Sequence, residues 1–140
     1  MSKITATRYH DFSAGHRVHG HEGKCAHLHG HNYRVHFTVQ APLDDVGRVM
    51  DFSSIKDRLC NWLEANWDHK MLIGAADPLL PGLVYLDHDG IVEVPFNPTA
   101  ENMAEHLLTQ IAPAQLEGTG VTLIHVSIEE TRKCSASAQF

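Results

Sequence analysis

Two segments near the N-terminus alternate between one face and the other with the period of a β-strand. Residues 29–41 show the clearest alternation, with apolar and histidine side chains on one face and polar side chains on the other. Residues 4–16 alternate more weakly and place Phe12, Ala14 and His16 on a common face. We therefore predict two half-buried strands that pair in an antiparallel manner.

A third strand is predicted near the C-terminus, over residues 121–130. Its even-numbered positions, Thr122, Ile124, Val126 and Ile128, would form the buried face. This face ends at Glu130, and the tail beyond it has room for one more strand.

Two further segments have the spacing of amphipathic helices. Apolar residues over 52–63 recur every three or four positions, with Ser53 or Ser54 near the start as a possible N-cap. A second helix is predicted over 99–110, and Pro113 lies just past its expected end.

The order strand, strand, helix, helix, strand indicates an α+β fold in which two helices cover one face of an antiparallel sheet. Residues 73–94 have no regular period, because glycines and prolines interrupt them. We predict loops there, with short strands possible at residues 84–86 or 91–94.

Composition narrows the class of protein. With 140 residues and no linker or repeat, we expect residues 1–140 to form a single domain. A formal net charge of -6 argues against a nucleic-acid partner, and no apolar run is long enough to cross a membrane. Three cysteines without disulfide spacing suggest free thiols, and the N-terminus lacks a signal-peptide pattern. We therefore expect a cytoplasmic protein that acts on small molecules.

Histidine is the unusual residue, with twelve in the chain and six between positions 16 and 31. His29 and His31 would point to the same side of a strand, which is a spacing that zinc sites use, and His16 is the best candidate for a third ligand. Three protein ligands with an open fourth position are typical of a catalytic zinc. The alternatives are ordinary surface histidines, a loose metal binder without catalysis, or a cupin-type site. The cupin alternative is weaker because no carboxylate follows the pair within residues 32–40.

Three other groups are candidates for chemistry. Cys25 lies beside Lys24 in a polar loop, where a neighbouring cation and metal can lower the pKa of a thiol, although a structural thiol is the alternative. Asp68 and His69 follow the first predicted helix, but an adjacent pair alone says little. Glu130 either lies at the solvent edge, which is the commoner case, or points into a pocket, where a carboxylate can accept paired hydrogen bonds.

The motifs together resemble those of 6-pyruvoyl tetrahydropterin synthase and its bacterial relative 6-carboxytetrahydropterin synthase. The resemblance covers nearly the whole chain and is specific in its combination and order. It is carried by the segments Phe12-Ser13-Ala14-Gly15-His16-Arg17, Cys25-Ala26-His27-Leu28-His29-Gly30-His31-Asn32-Tyr33, Val49-Met50-Asp51-Phe52, Asp68-His69-Lys70, Pro98-Thr99-Ala100-Glu101 and Val126-Ser127-Ile128-Glu129-Glu130-Thr131.

The resemblance implies a tunnelling fold that assembles into a barrel, commonly as a dimer of trimers, with active sites at subunit interfaces. By matching positions, it implies Zn²⁺ as cofactor and assigns the site residues as follows: ligands His16, His29 and His31; thiolate base Cys25; relay partners Asp68 and His69; pterin anchor Glu130; and, less securely, pterin contact Thr99. The spacing of three residues between Cys25 and His29 resembles the carboxytetrahydropterin branch, which belongs to queuosine biosynthesis.

The implied reaction converts 7,8-dihydroneopterin triphosphate to 6-carboxy-5,6,7,8-tetrahydropterin, acetaldehyde and triphosphate. Two alternatives stay open: pyruvoyl-type elimination on the same scaffold, and a non-catalytic histidine-rich metal-binding protein. The cationic candidates for the triphosphate are Arg17, Lys24, Lys70 and Arg132.

Overall fold

Strands β1 (Thr5–His16) and β2 (His29–Gln40) form the centre of the sheet, and they pair antiparallel along their whole length. The structure is a computed structural model that describes residues 2–140. Within that range the sheet has six strands in the order β4-β3-β1-β2-β5-β6. The other strands are β3 (Lys70–Gly74), β4 (Ile91–Val94), β5 (Thr122–Glu130) and β6 (Ser135–Gln139).

The sheet is mixed, so the prediction of an antiparallel sheet is wrong at one edge. Strand β3 lies parallel to β1, and β4 lies parallel to β3. Parallel neighbours require a crossover connection, and here helix α3 (Leu80–Leu86) lies in the connection between β3 and β4. The other pairs, β1–β2, β2–β5 and β5–β6, are antiparallel as predicted.

Both predicted helical segments are present. The first runs from α1 (Phe52–Ile55) through a π-helical turn into α2 (Asn61–Asn66). The second runs from α4 (Ala100–His106) through another π-helical turn into α5 (Ala112–Gln115). The second extends past Pro113, contrary to our expectation, because this proline lies in the first turn of α5, where a missing N–H is tolerated.

Side chains cap the N-terminal ends of both helical segments. Asp51 caps α1 by accepting a hydrogen bond from the Ser53 N–H at 2.9 Å, so Ser53 and Ser54 are not the N-cap. Thr99 caps α4 by accepting from the Asn102 N–H at 3.1 Å.

The main core lies between one face of the sheet and the two helical segments. It contains Tyr33, Val35 and Phe37 of β2 and, among other residues, Leu63 and Met103 of the helices. Burying these side chains supplies most of the stabilisation, at roughly 25 cal/mol per Å² of apolar surface.

The buried face of β5 changes partway along the strand. A bulge opposite Thr38 and Val39 shifts the register, so that Leu123 is buried whereas Thr122 is exposed. The predicted face of even positions is therefore correct only after the bulge, at Val126 and Ile128. One extra residue reverses which side chains face the core.

The region predicted as loops, residues 73–94, is largely ordered into elements. Of the two possible short strands, residues 91–94 form β4, whereas residues 84–86 lie in α3. Ile73 is fully buried but lies outside the main core, unlike its neighbour Leu72. Successive residues of a strand point to opposite faces, so Leu72 faces the main core whereas Ile73 faces the other side of the sheet.

Two expectations from composition can be compared with the structure. All three cysteines are free thiols. Among residues 2–140, no helix combines the length and apolar character that crossing a membrane requires.

Candidate metal centre and cleft

Three histidines meet where β1 ends and β2 begins. The antiparallel register places His16 directly opposite His29, and His31 follows two residues later on the same face. One nitrogen of each imidazole lies within 4.8 Å of one nitrogen of the other two. The structure thus brings together the three ligands that the sequence predicts.

Backbone carbonyls fix the protonation of two of these rings. His16 Nδ1 lies 2.6 Å from the Pro98 carbonyl oxygen, and His29 Nδ1 lies 2.7 Å from the His27 carbonyl oxygen. A carbonyl only accepts, so each Nδ1 carries the proton and donates it. The Nε2 atom of each ring then presents a lone pair toward the cluster, which is the tautomer that metal-binding histidines adopt.

The cluster has the character of a metal site. Among the described residues, the Nε2 atoms of His16, His29 and His31 are buried without a hydrogen-bond partner, as is the hydroxyl of Tyr33. Burial lowers the pKa of His16 and of His31, although the nearby Glu130 carboxylate opposes this effect. Neutral imidazoles with free lone pairs fit Zn²⁺, whose structural and catalytic sites use such nitrogen ligands.

Glu130 lies at the edge of the histidine cluster. Its position at the end of β5, opposite Tyr33, aims the carboxylate inward rather than to the solvent edge. Glu130 Oε1 is 3.5 Å from His16 Nε2 and 3.8 Å from His31 Nε2. Burial and then this carboxylate raise the pKa of Tyr33, so its phenol stays protonated.

Asp68 and His69 form a pair at the end of the first helical segment. Asp68 Oδ1 accepts from the Ser13 N–H at 3.0 Å, and Asp68 Oδ2 accepts from His69 Nδ1 at 2.8 Å. Burial raises the pKa of Asp68, but these hydrogen bonds outweigh it and hold the pKa below its usual value. His69 has a positive φ of 59°, and its N–H donates to the Ser13 carbonyl, so the sharp bend that the adjacent pair needs is present.

A cleft of about 690 Å³ is lined by His31 of the histidine cluster and His69 of this pair, together with Asn32, Met71 and Leu83. Its volume is within the range of small-molecule sites, roughly 300–1,000 Å³. One predicted metal ligand and one predicted relay residue therefore share this cleft.

Cys25 lies in the loop between β1 and β2. It occupies a short 3₁₀ turn over Lys24–Ala26 and is partly buried. Within residues 2–140, no hydrogen bond joins its thiol to Asp68 or His69, and it does not line the cleft.

The loop that carries Cys25 is attached by Arg17. The Arg17 guanidinium donates to Asp77 Oδ2 at 2.6 Å and to the Ala26 carbonyl at 2.8 Å. Arg17, a candidate for the triphosphate, is thus engaged within the chain. Lys70, another candidate, donates to the Asp89 carbonyl at 2.6 Å.

Thr99 has a structural contact of its own. Its hydroxyl caps α4, and the preceding Pro98 supplies the carbonyl that orients His16.

Sequence reasoning missed Pro98, Asp77 and Tyr33 as parts of the site. Only Tyr33 carried a usable signal, because it shares a strand face with His29 and His31.

Comparison with known proteins shows which family the chain resembles. The sequence profile of the family "6-pyruvoyl tetrahydropterin synthase" matches residues 5–139. A relative named 6-carboxy-5,6,7,8-tetrahydropterin synthase, from Rickettsia bellii, is 37% identical over 134 residues, covering 94% of this chain and 96% of the relative. A probable enzyme of the same name from Halobacterium salinarum is 34% identical over 125 residues, covering 89% of this chain and 79% of the relative.

Solved structures show the same fold. An uncharacterized protein from Wolinella succinogenes superposes with a TM-score of 0.88 at 23% identity, covering 99% of both chains. The 6-pyruvoyl tetrahydropterin synthase of Caenorhabditis elegans superposes with a TM-score of 0.72 at 24% identity, covering 100% of this chain and 97% of that chain. These similarities confirm the predicted tunnelling-type arrangement of a sheet with helices on one face.

Proposed function

The chain belongs to the 6-pyruvoyl tetrahydropterin synthase family, and on that premise we propose that it is a zinc-dependent 6-carboxytetrahydropterin synthase. It is a lyase of the type named in its curated relatives. The proposed reaction converts 7,8-dihydroneopterin triphosphate and one water molecule to 6-carboxy-5,6,7,8-tetrahydropterin, acetaldehyde and triphosphate. Its place would be in queuosine biosynthesis.

The observation that carries the proposal is the convergence of three unpartnered Nε2 atoms, one of which belongs to His31, a residue that lines a cleft together with His69. His16, His29 and His31 would hold the zinc ion. When bound, zinc supplies Lewis acidity, which acidifies hydroxyl groups and stabilises negative charge on oxygen.

The protein groups have separate tasks in this proposal. Cys25 accepts a carbon-bound proton from the substrate side chain as a thiolate. His69, oriented by the Asp68 carboxylate at 2.8 Å, transfers a proton at another position of the side chain. Glu130 binds the amidine-like edge of the pterin ring through paired hydrogen bonds, with Thr99 as a further contact.

Among the described residues, no hydrogen bond joins Cys25 to Asp68 or His69, which is compatible with an oligomeric enzyme. In such an enzyme, the thiol of one subunit would act on the same substrate as the Asp68–His69 pair of another. We therefore propose a homo-oligomer, in the form of a dimer of trimers, with residues 1–140 as one domain in each subunit. Free thiols at all three cysteines support a cytoplasmic location.

Replacing Cys25 with Ala tests this function against a metal-binding role without catalysis. We expect the variant to keep one zinc ion per chain while product formation falls by about 10²-fold or more, since a positioned acid–base group contributes that much. Cys134→Ala, which removes an exposed thiol on the β5–β6 turn, is the matched control and should keep full activity. Unchanged turnover in Cys25→Ala would contradict the enzyme proposal as stated.

A further inference from the structure

The carboxylate of Glu130 has an unusual set of neighbours. Its Oε1 atom lies 3.5 Å from His16 Nε2 and 3.8 Å from His31 Nε2, both long for a hydrogen bond, and the lone pair of His16 Nε2 faces the carboxylate. Both imidazole nitrogens are buried and have no other partner among the described residues. A proton between His16 and Glu130 is also disfavoured, because the Pro98 carbonyl already holds the His16 proton on Nδ1.

A cation between acceptor atoms that face one another in a buried site would stabilise them. His16 and His29 both direct lone pairs into the cluster, because their Nδ1 atoms donate to backbone carbonyls. The Glu130 carboxylate adds negative charge at the same place. With a divalent cation at the centre, the lone pairs and the carboxylate would all be attracted to one point.

The distance from Glu130 to two of the three histidines is close to the spacing between ligands of a tetrahedral metal. Zinc ligands lie about 2.0–2.1 Å from the ion, so two ligand atoms on a tetrahedron are roughly 3.3 Å apart. Oε1 lies 3.5 Å from His16 Nε2 and 3.8 Å from His31 Nε2, whereas the group of ligand atoms that all lie within 4.8 Å of one another contains the three histidines alone. The side chain is 27% exposed and stands at the end of β5, so it keeps room to move away.

We propose that Glu130 is an exchangeable fourth ligand of the metal ion in the substrate-free protein. When the pterin ring binds, the carboxylate leaves the metal for the ring and opens the coordination position to the substrate side chain. The exchange rests on the proposed function, whereas ligation in the resting state does not. Glu130 would thus couple binding of the pterin ring to the opening of one coordination position on the metal ion.

Zinc affinity without any pterin tests the ligand directly. We would titrate the wild-type protein, Glu130→Gln and Glu129→Gln against a chromogenic zinc chelator at neutral pH. Glu129 is the matched control, because its carboxylate contacts His36 at 2.6 Å, and adjacent strand residues point to opposite faces. We expect Glu130→Gln to bind zinc at least about tenfold more weakly, whereas Glu129→Gln stays within about twofold.

A spectrum gives a second readout that does not depend on affinity. With Co²⁺ in place of zinc, Glu130→Gln should shift the visible absorption bands because the ligand set changes, and Glu129→Gln should not. Equal zinc affinity and an identical Co²⁺ spectrum in wild type and Glu130→Gln would overturn the proposal.

The exchange is tested with pterin itself, a ring without the hydroxylated side chain. Because binding linkage is reciprocal, pterin should weaken zinc binding to the wild type, and zinc should weaken pterin binding by the same factor. Pterin that binds without changing zinc affinity would overturn the exchange. If pterin fluorescence shows no binding even without zinc, both the exchange and the proposed substrate class fail, while ligation stands on the chelator result.

Discussion

Replacing Asp77 with Asn tests whether the buried ion pair behind the Cys25 loop stabilises the fold. The Asp77 side chain is 1% exposed and that of Arg17 is 14% exposed, with 2.6 Å between Arg17 Nε and Asp77 Oδ2. Asparagine keeps the size of the side chain and an oxygen that can accept from the Leu79 N–H. The substitution therefore removes the charge with little change in packing.

The expected loss in the free energy of unfolding follows from the burial of the Arg17–Asp77 pair. A hydrogen bond to a charged group contributes about 1.5–3 kcal/mol, and removing one partner of a buried pair costs about 3–5 kcal/mol. In Asp77→Asn, Arg17 keeps its hydrogen bond to the Ala26 carbonyl and remains partly exposed. We therefore expect the free energy of unfolding to fall by about 2–3 kcal/mol. In the control Asp11→Asn, the carboxylate makes two bonds to Arg34 but is 52% exposed, so less than about 1 kcal/mol is expected.

The stabilisation that the Asp77 carboxylate provides should be lost as the pH falls. Burial raises the pKa of Asp77, but hydrogen bonds from Arg17 and the Leu79 N–H, with the Arg17 charge, outweigh it and lower the pKa. A lowered folded-state pKa means that stability is present above the unfolded pKa, near 3.9, and is lost as the pH falls through the folded-state pKa. The difference between wild type and Asp77→Asn should hold from pH 7 to 5 and shrink below about pH 4.

Urea unfolding of the metal-free protein at one protein concentration, followed by tryptophan fluorescence, measures these differences. Equal losses for Asp77→Asn and Asp11→Asn would refute the reasoning, because burial is then not what distinguishes the two pairs. A difference that stays constant down to pH 2 would refute the assignment of the effect to the Asp77 charge.

Three further predictions concern the site itself. His29→Ala should lose stoichiometric zinc binding, measured by metal analysis after dialysis, whereas His21→Ala should retain it; retention in both would exclude His29 as a ligand. Tyr33→Phe removes a buried hydroxyl without a partner, so unfolding of the metal-free protein should show no loss or a gain of up to about 1 kcal/mol, and a clear loss would reveal a missed partner. Asp68→Asn should keep zinc but lower turnover by about 10²-fold or more, because His69 loses its charged partner, and unchanged turnover would remove Asp68 from the proposed relay.

The alternation of residues 29–41 was enough to predict the centre of the site. It placed His29 and His31 on one strand face, and the antiparallel partner then brought His16 opposite His29. Local periodicity could predict this arrangement because the two strands are neighbours in the sequence. The alternating patterns of residues 4–16 and 29–41, joined by one loop, indicate which side chains face each other.

Other features depend on contacts between distant residues, which a local pattern does not encode. The Arg17–Asp77 pair joins residues 60 apart, and the Pro98 carbonyl reaches His16 across 82 residues. The parallel edge depends on a crossover through α3, whose proline and glycine conceal its helical period. The bulge in β5 adds one residue to the pairing and cannot be read from the alternation of Thr122 and Ile124.

Glu130 shows where sequence reasoning reached its limit. The pattern of β5 placed a carboxylate at the end of an apolar face, with either the solvent edge or a pocket as its surroundings. The structure places the carboxylate 3.5 Å from His16 Nε2, which required knowing how β5 pairs with β2.

The central claim is that the zinc-loaded protein cleaves a carbon–carbon bond of a pterin triphosphate. The most direct test incubates it with 7,8-dihydroneopterin triphosphate, identifies the pterin product by mass spectrometry and measures acetaldehyde in parallel. We predict 6-carboxy-5,6,7,8-tetrahydropterin with acetaldehyde in equal amount. A pyruvoyl product without acetaldehyde, or no turnover at all, would contradict the claim.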